Sequence, residues 1–225
     1  MTITTHSAEA ITAFRRWADL LSITLATMQY AMAIIVVSVV LPQMQGSLSA
    51  TQDEIAWVMT FNILATAVIT PMSGWLAARF GRRQVMLGSM AGFTVATLFC
   101  GIAPNLPFLV LFRIAQGAFG APLIPIGQAI ILDTFPKHQH GVATAVFGMA
   151  VVVGPVIGPI WGGWLAEDYG WPAAFVMFLP FGVIALAGLY LFLTDKSKPS
   201  DVTLDWTGFL SLSVAVICLQ LLLSL

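Results

Sequence analysis

Residues 111–120 read Leu-Phe-Arg-Ile-Ala-Gln-Gly-Ala-Phe-Gly and place one guanidinium group inside a long apolar run. A charged side chain at the centre of a bilayer costs at least about 2.5 kcal/mol, so Arg113 must be paired or solvated by other groups. On a helix, Arg113 shares one face with Gln116 and Gly117, and a glycine there lets a neighbouring backbone approach closely. The stretch predicts a helix whose polar face turns inward, with the other helices packed around it.

The composition of the whole chain is that of a polytopic membrane protein. Hydrophobic residues make up 59% of its 225 residues and charged residues 8%, whereas soluble domains carry about 25% charged residues. A seventh apolar run begins near Trp206. The six runs before it are each long enough to cross about 30 Å of hydrocarbon, and they cover residues 17–41, 54–78, 85–104, 106–132, 141–166 and 172–194.

The loops between these runs differ in charge from one side to the other. Acidic residues occupy one set of loops, at Asp53, Glu54, Glu167 and Asp168. Basic residues occupy the other set, at Arg15, Arg16, Arg79, Arg82, Arg83, Lys137, Lys196 and Lys198. Cytoplasmic loops are enriched in Lys and Arg, so we expect a multi-pass protein of the cell inner membrane with a cytoplasmic N-terminus.

An eight-residue pattern occurs at the ends of spans 2 and 5. Residues 74–81 read GWLAARFG and residues 163–170 read GWLAEDYG, an offset of 89 positions. A unit of three spans is odd in number, so the second unit must be inverted in the membrane. Inverted repeats of this kind are typical of secondary transporters, whose binding site lies at the repeat interface. The alternative is a chance match in a biased composition.

The predicted organisation is all-helical and has five parts. They are a polar cytoplasmic N-terminus (1–16), a first three-helix repeat (17–105), a second, inverted repeat (106–195), a cytoplasmic linker (196–205) and the start of a seventh span (206–225).

The loop after span 2, residues 74–84 with the sequence GWLAARFGRRQ, resembles the signature between spans 2 and 3 of the major facilitator superfamily. The glycines permit close packing and a tight turn, and the arginines can complement carboxylates or helix C-terminal carbonyls. The acidic residue of the family is here Ala78, and Asp133 is an alternative partner for Arg79. The resemblance implies a cytoplasmic gate loop made of Gly74, Arg79, Gly81, Arg82, Arg83 and Asp133. The alternative is that the arginines serve topology alone.

Span 4, with Arg113, Gln116 and Gly117, resembles the fourth-span signature of the same superfamily. The resemblance implies a role for this arginine in proton coupling at a central cavity. A structural alternative is that Arg113 lies near the outer surface and extends its guanidinium to the headgroups.

Span 5 contains residues 148–163, GMAVVVGPVIGPIWGG. Three glycines spaced four apart lie on one helix face, and two prolines each remove an intrahelical hydrogen bond. The pattern resembles the antiporter signature of drug:H+ antiporters. It implies a flexible contact between the two halves of a transporter, formed by Gly154, Pro155, Gly158, Pro159, Gly162 and Gly163.

From Leu25 onward the chain resembles the N-terminal half of the fourteen-span drug:H+ antiporter branch, the multidrug export permease type. Two positions depart from that branch, since Ala33 replaces its usual aspartate and Phe178 its usual asparagine. Spans 1 to 6 therefore lack a carboxylate at mid-membrane depth.

Polar side chains in spans 1 and 2 have two open interpretations. Gln29 and Tyr30 in span 1, with Asn62 and Thr66 in span 2, either line a substrate cavity or pack and hydrogen-bond to neighbouring helices.

The resemblance implies secondary active transport, in the form of proton-coupled efflux of amphipathic drugs or other toxic organic compounds by alternating access. The implied partners are the lipid bilayer, small amphipathic substrates, a periplasmic adaptor protein and a missing C-terminal half. One alternative is a truncated or incomplete half-transporter without activity of its own, and another is an uptake permease. We expect no enzyme activity, metal site, nucleic-acid binding or cofactor other than coupling protons, because the sequence contains no corresponding motif.

Overall fold

The computed structural model describes residues 3–193 and 202–224, which form helices joined by short turns and contain no strand. In chain order the helices are α1 (Ile3–Ser47), α2 (Gln52–Phe80), α3 (Arg82–Gly101), α4 (Leu106–Gly120), α5 (Leu123–Thr134), α6 (His140–Tyr169), α7 (Ala173–Val176), α8 (Phe178–Phe192) and α9 (Trp206–Ser224). Lys196, Lys198 and most of the predicted linker lie outside the described residues. The predicted all-helical fold is confirmed.

Six spans of the described residues are long and apolar enough to cross a membrane, as predicted. Spans 1, 2, 3 and 5 correspond to α1, α2, α3 and α6, span 4 to α4 with α5, and span 6 to α7 with α8. Proline explains both interruptions, because it cannot donate to the carbonyl four residues earlier. Pro122 and Pro125 lie where α4 gives way to α5, and Pro180 follows the break between α7 and α8.

The packing of the spans has the two-fold relation predicted from the repeat. The most extensive contacts are those of α1 with α6 and of α2 with α4, followed by α3 with α4 and α1 with α8. Shifting each span by three exchanges α1 with α4, α2 with α6 and α3 with α8. Under this exchange the α1–α6 contact corresponds to the α2–α4 contact, and the α3–α4 contact corresponds to the α1–α8 contact.

The repeated eight-residue pattern ends a helix in the same way at both sites. Gly81 after α2 has φ 85° and Gly170 after α6 has φ 86°, a region that glycine enters without steric cost. The amide of each glycine donates to a carbonyl four residues earlier, Ala77 O at 3.0 Å and Ala166 O at 2.9 Å. The pattern therefore marks one local structure that occurs once in each repeat.

Helix α9, which corresponds to the predicted seventh span, starts beside α2. The indole N–H of Trp75 donates to Val202 O at 3.0 Å, and α9 packs along α2. At the start of α9, Asp205 accepts hydrogen bonds from the Gly208 amide (3.0 Å) and the Thr207 hydroxyl (2.7 Å). These two donors hold the pKa of the Asp205 carboxyl below its usual value, because they stabilise the charged form at the helix N-terminus.

Candidate functional site

Arg113 lies where α4 of the second repeat meets the first repeat. Its side chain is 1% exposed and is the largest fully buried side chain among the described residues. Its Nε donates to Val58 O on α2 at 3.3 Å, and one terminal nitrogen donates to Gln116 Oε1 and lies 3.5 Å from Ala33 O on α1. The guanidinium is buried within the helix bundle, so the alternative that it reaches the outer surface is wrong.

No carboxylate of the described residues pairs with Arg113. Its contacts are carbonyl and amide oxygens, which solvate the cation through their dipoles and leave its formal charge uncompensated. A charge in such a setting is costly unless its donors are satisfied. Holding these oxygens in position is therefore a structural requirement on α1, α2 and α4 together.

Gln116 continues the polar network from α4 to α3. Its Nε2 donates to Thr97 Oγ1 at 2.7 Å, and the Thr97 hydroxyl donates to Phe93 O at 2.7 Å. Sequence reasoning missed Thr97. The available signal was a hydroxyl in the apolar run of span 3, but a threonine that bonds only to its own helix gives the same signal.

Asn62 and Thr66 join α2 to the backbone of α4. Asn62 Nδ2 donates to Arg113 O at 2.8 Å, and Thr66 Oγ1 donates to Gly117 O at 3.3 Å. A Cβ on Gly117 would overlap the main-chain oxygen of Asn62, so the glycine is required for this close approach. In this structure Asn62 and Thr66 therefore form hydrogen bonds between helices, which is one of the two interpretations given above.

Gln29 and Tyr30 of α1 are also buried between helices. The Tyr30 hydroxyl donates to Thr66 Oγ1 at 3.3 Å, and its ring packs edge-on against Phe93 at 5.8 Å between centroids. Gln29 Nε2 donates to Phe178 O at 2.6 Å. In this structure neither side chain lines an open cavity, because both are nearly inaccessible.

The glycine face of α6 packs on α1. A Cβ on Gly154 would lie 2.8 Å from Met28 O, one on Gly158 would lie 3.1 Å from Met32 O, and one on Gly162 would overlap the side chain of Val36. The predicted close approach of another helix is confirmed. In this structure α1 of the same bundle occupies the face formed by Gly154, Gly158 and Gly162. A flexible contact between the two halves of a transporter, formed by this signature, stays a prediction.

The other residues of the span 5 signature lie beside this face. Pro155 and Pro159 are half-buried within α6, which continues through both prolines. A Cβ on Gly163 would lie 3.3 Å from Val39 Cγ1.

The predicted gate loop contains two different arginine contacts. Arg82 forms an ion pair with Asp133, with side chains 31% and 68% exposed. The partner of Asp133 is therefore Arg82, whereas the sequence suggested Arg79. Arg83 donates to Leu193 O and Tyr190 O, both at 2.9 Å, at the C-terminal end of α8. Both kinds of contact expected of the arginines, with a carboxylate and with helix carbonyls, are present.

The glycines of this loop differ in their surroundings. Gly81 forms the expected turn, whereas nothing lies within 4 Å of a Cβ built on Gly74. The expected close packing at Gly74 is therefore wrong for the described residues. Arg79 is exposed in the last turn of α2.

A groove with a volume of about 530 Å³ lies between α2, α3 and α4. None of its lining residues is among the cavity residues predicted from the sequence. Its lining is mostly apolar and consists of Ile69, Met72, Leu76, Phe80, Gln84, Val85, Gly88, Ser89, Ala118, Phe119 and Pro122.

Comparisons with known proteins place the sequence in one family. The sequence model described as Major Facilitator Superfamily matches residues 23–223. The multidrug export protein EmrB of Haemophilus influenzae and the fatty acid resistance protein FarB of Neisseria gonorrhoeae are each 35% identical over 90% of this chain and 40% of their own. A crystal structure of an inward-facing bacterial homologue of the human lysosomal transporter Spinster has a TM-score of 0.69 at 22% identity, covering 85% of this chain and 46% of that one. The chain spans about 40% of the length of the curated relatives that it matches.

Proposed function

Because the chain belongs to the major facilitator superfamily, we propose that it forms the N-terminal half of a secondary transporter that exports amphipathic organic compounds by alternating access. The observation that carries this proposal is the buried Arg113 at the junction of the two repeats. Transporters built from inverted repeats place their binding and coupling sites at this interface, and an ionisable residue inside the membrane is retained at a cost.

In this proposal protons are the coupling ion, and Arg113 with Gln116 acts on their binding. A buried cation favours the ionised form of a nearby acid, so an acid that moves toward Arg113 would release its proton. We propose an acid from outside spans 1 to 6, since no carboxylate of their described residues pairs with Arg113. The second half of the transporter would supply it.

The proposal places the protein in the cell inner membrane with its N-terminus in the cytoplasm. The support is the loop charge, which is basic at Arg79, Arg82 and Arg83 and acidic at Glu167 and Asp168 on the opposite side, since cytoplasmic loops are enriched in Lys and Arg. The further partners proposed are the C-terminal half and a periplasmic adaptor protein, in keeping with the multidrug export relatives.

Transport by the complete open reading frame that encodes these residues tests the proposal. Cells without their own exporters would express it and be loaded with a fluorescent amphipathic dye or a labelled fatty acid, because EmrB is named as a multidrug exporter and FarB as a fatty acid resistance protein. We expect net export of at least one class, and loss of that export when a protonophore collapses the proton gradient.

Two results would contradict the proposal. Faster accumulation in expressing cells would indicate an uptake permease. Accumulation unchanged from empty-vector cells for both classes, with the protein present in the membrane at normal abundance, would show that the encoded product does not export these compounds.

A further inference from the structure

We propose that Thr97 is a positioning residue that fixes the orientation of the Gln116 amide and thereby holds the guanidinium of Arg113. Its importance for transport rests on the proposed function, whereas its effect on the packing of α3 and α4 does not. Thr97 is 0% exposed and makes no contact with Arg113 itself. It acts only through Gln116.

The hydrogen bonds of this group run in one direction. Phe93 O can only accept, so the Thr97 hydroxyl gives its proton to it at 2.7 Å. Having used its proton, the Thr97 oxygen accepts from Gln116 Nε2 at 2.7 Å. The carbonyl end of the Gln116 amide is thereby turned toward Arg113, whose terminal nitrogen donates to it.

The reversed amide would break two hydrogen bonds. It would turn the Gln116 NH₂ group toward the guanidinium, and Arg113 has donors only. It would also face the Gln116 carbonyl with a Thr97 oxygen whose proton is engaged by Phe93. An unpaired buried polar group is costly, so the observed orientation is strongly preferred while the hydroxyl is present.

The consequence is a link from the second repeat to all three helices of the first. Arg113 reaches α1 at Ala33 and α2 at Val58, and Gln116 reaches α3 at Thr97. Without the hydroxyl of Thr97, the amide of Gln116 loses its partner on α3 and is free to reverse. Arg113 then loses one of its three acceptors.

The transport test compares Thr97→Val, which removes the hydroxyl at nearly constant volume, with Thr97→Ser, which keeps it. We expect Thr97→Val to lower the maximal export rate several-fold with an unchanged KM for the dye, since Thr97 touches no open space, and Thr97→Ser to restore most of the rate. Thr94→Val is the matched control, because the Thr94 hydroxyl makes the same bond to its own helix, to Met90 O at 2.8 Å, without a relay to α4. Equal rates for Thr97→Val and wild type, or equal losses for Thr97→Val and Thr94→Val, would overturn the proposal.

Thermal unfolding of the purified protein in lipid nanodiscs tests the link between Thr97 and Gln116 without a transport measurement. Thr97→Val and Gln116→Leu remove the two ends of one link, so the double variant should have a Tm close to that of Gln116→Leu alone. Fully additive losses of Tm would show that the two side chains act independently and would overturn the positioning role. If wild type exports neither class of compound, the proposed function fails while this comparison still judges Thr97.

Discussion

The contact of α2 with α4 and the contact of α1 with α6 are equivalent in the inverted repeat, yet they are held together by different chemistry. The first contains directed hydrogen bonds, from Asn62 to Arg113 O and from Thr66 to Gly117 O. The second is mainly a close backbone approach in which Gly154 and Gly158 meet main-chain oxygens of α1. It contains one directed hydrogen bond away from these glycines, from Gln43 Nε2 on α1 to Ala166 O on α6 at 2.8 Å. Two contacts that are related by the repeat are thus stabilised mainly by different interactions.

The buried hydrogen bonds of the α2–α4 contact specify particular atoms, whereas the part of the α1–α6 contact around Gly154, Gly158 and Gly162 specifies shape. Hydrogen bonds between helices require particular donors at particular depths, while packing of small residues is set by van der Waals fit. The prolines of α6 each remove an intrahelical bond as well, so α6 can bend along α1. We infer that the α2–α4 contact keeps the charge in place and that the glycines of the α1–α6 contact set how closely these two helices approach.

The largest expected effect comes from removing the charge at the polar contact. Arg113→Ala should lower export by about ten-fold or more, equivalent to at least about 1.4 kcal/mol of barrier, because it removes the buried cation of the junction. Arg113→Lys should recover part of the rate, since one ammonium keeps the charge but loses the planar, forked donors. Initial rates of dye efflux, normalised to membrane abundance, check this. Unchanged efflux in Arg113→Ala would show that the charge at the polar contact is not needed for export.

At the glycine contact, bulk should matter more than polarity. Gly162→Leu should destabilise the protein by about 1–3 kcal/mol, the usual cost of overpacking, because even its Cβ would overlap Val36. Gly148→Leu on the same helix is the control, since nothing lies within 4 Å of a Cβ there. Thermal or denaturant unfolding in nanodiscs checks both. If the two variants were equally stable, α6 would not be packed on α1 through this face.

A smaller effect is expected from one hydrogen bond of the polar contact. Asn62→Ala should cost about 0.6–1.7 kcal/mol in unfolding free energy, which lies between the average and the largest value measured for interhelical hydrogen bonds in a membrane protein. Thr70→Ala is the control, because the Thr70 hydroxyl is exposed and bonds within α2, to Thr66 O at 2.7 Å. A loss no larger than that of Thr70→Ala would mean that the α2–α4 contact depends on shape, as the α1–α6 contact does.

The smallest effect is expected at an exposed polar contact outside both interfaces. A double-mutant cycle on Arg82→Ala and Asp133→Ala should give a coupling of about 0–1 kcal/mol, since water screens a pair that is 31% and 68% exposed. The coupling should fall further at high salt. A coupling larger than the loss in Asn62→Ala would show that this exposed ion pair contributes more to stability than a hydrogen bond of the buried junction.

The sequence predicted several parts of the site because they depend on one helix at a time. Spacing placed Arg113, Gln116 and Gly117 on one face, and the glycines of α6 on another. It missed the partners, such as Thr97 for Gln116 and Arg82 for Asp133. Partners depend on the rotation and depth of two helices relative to each other, and periodicity within one helix carries neither.

The number of spans, the alternation of loop charge and the inverted repeat follow from the sequence alone, because the bilayer fixes span length and glycine fixes the turn at Gly81 and Gly170. Only the tertiary structure decided that the glycine face of α6 meets α1 and that three carbonyl or amide oxygens surround Arg113. The physical reason is that lipid is as apolar as the helices. Lipid-facing and helix-facing sides of a span then look alike in sequence, and close packing and hydrogen bonds select the neighbour.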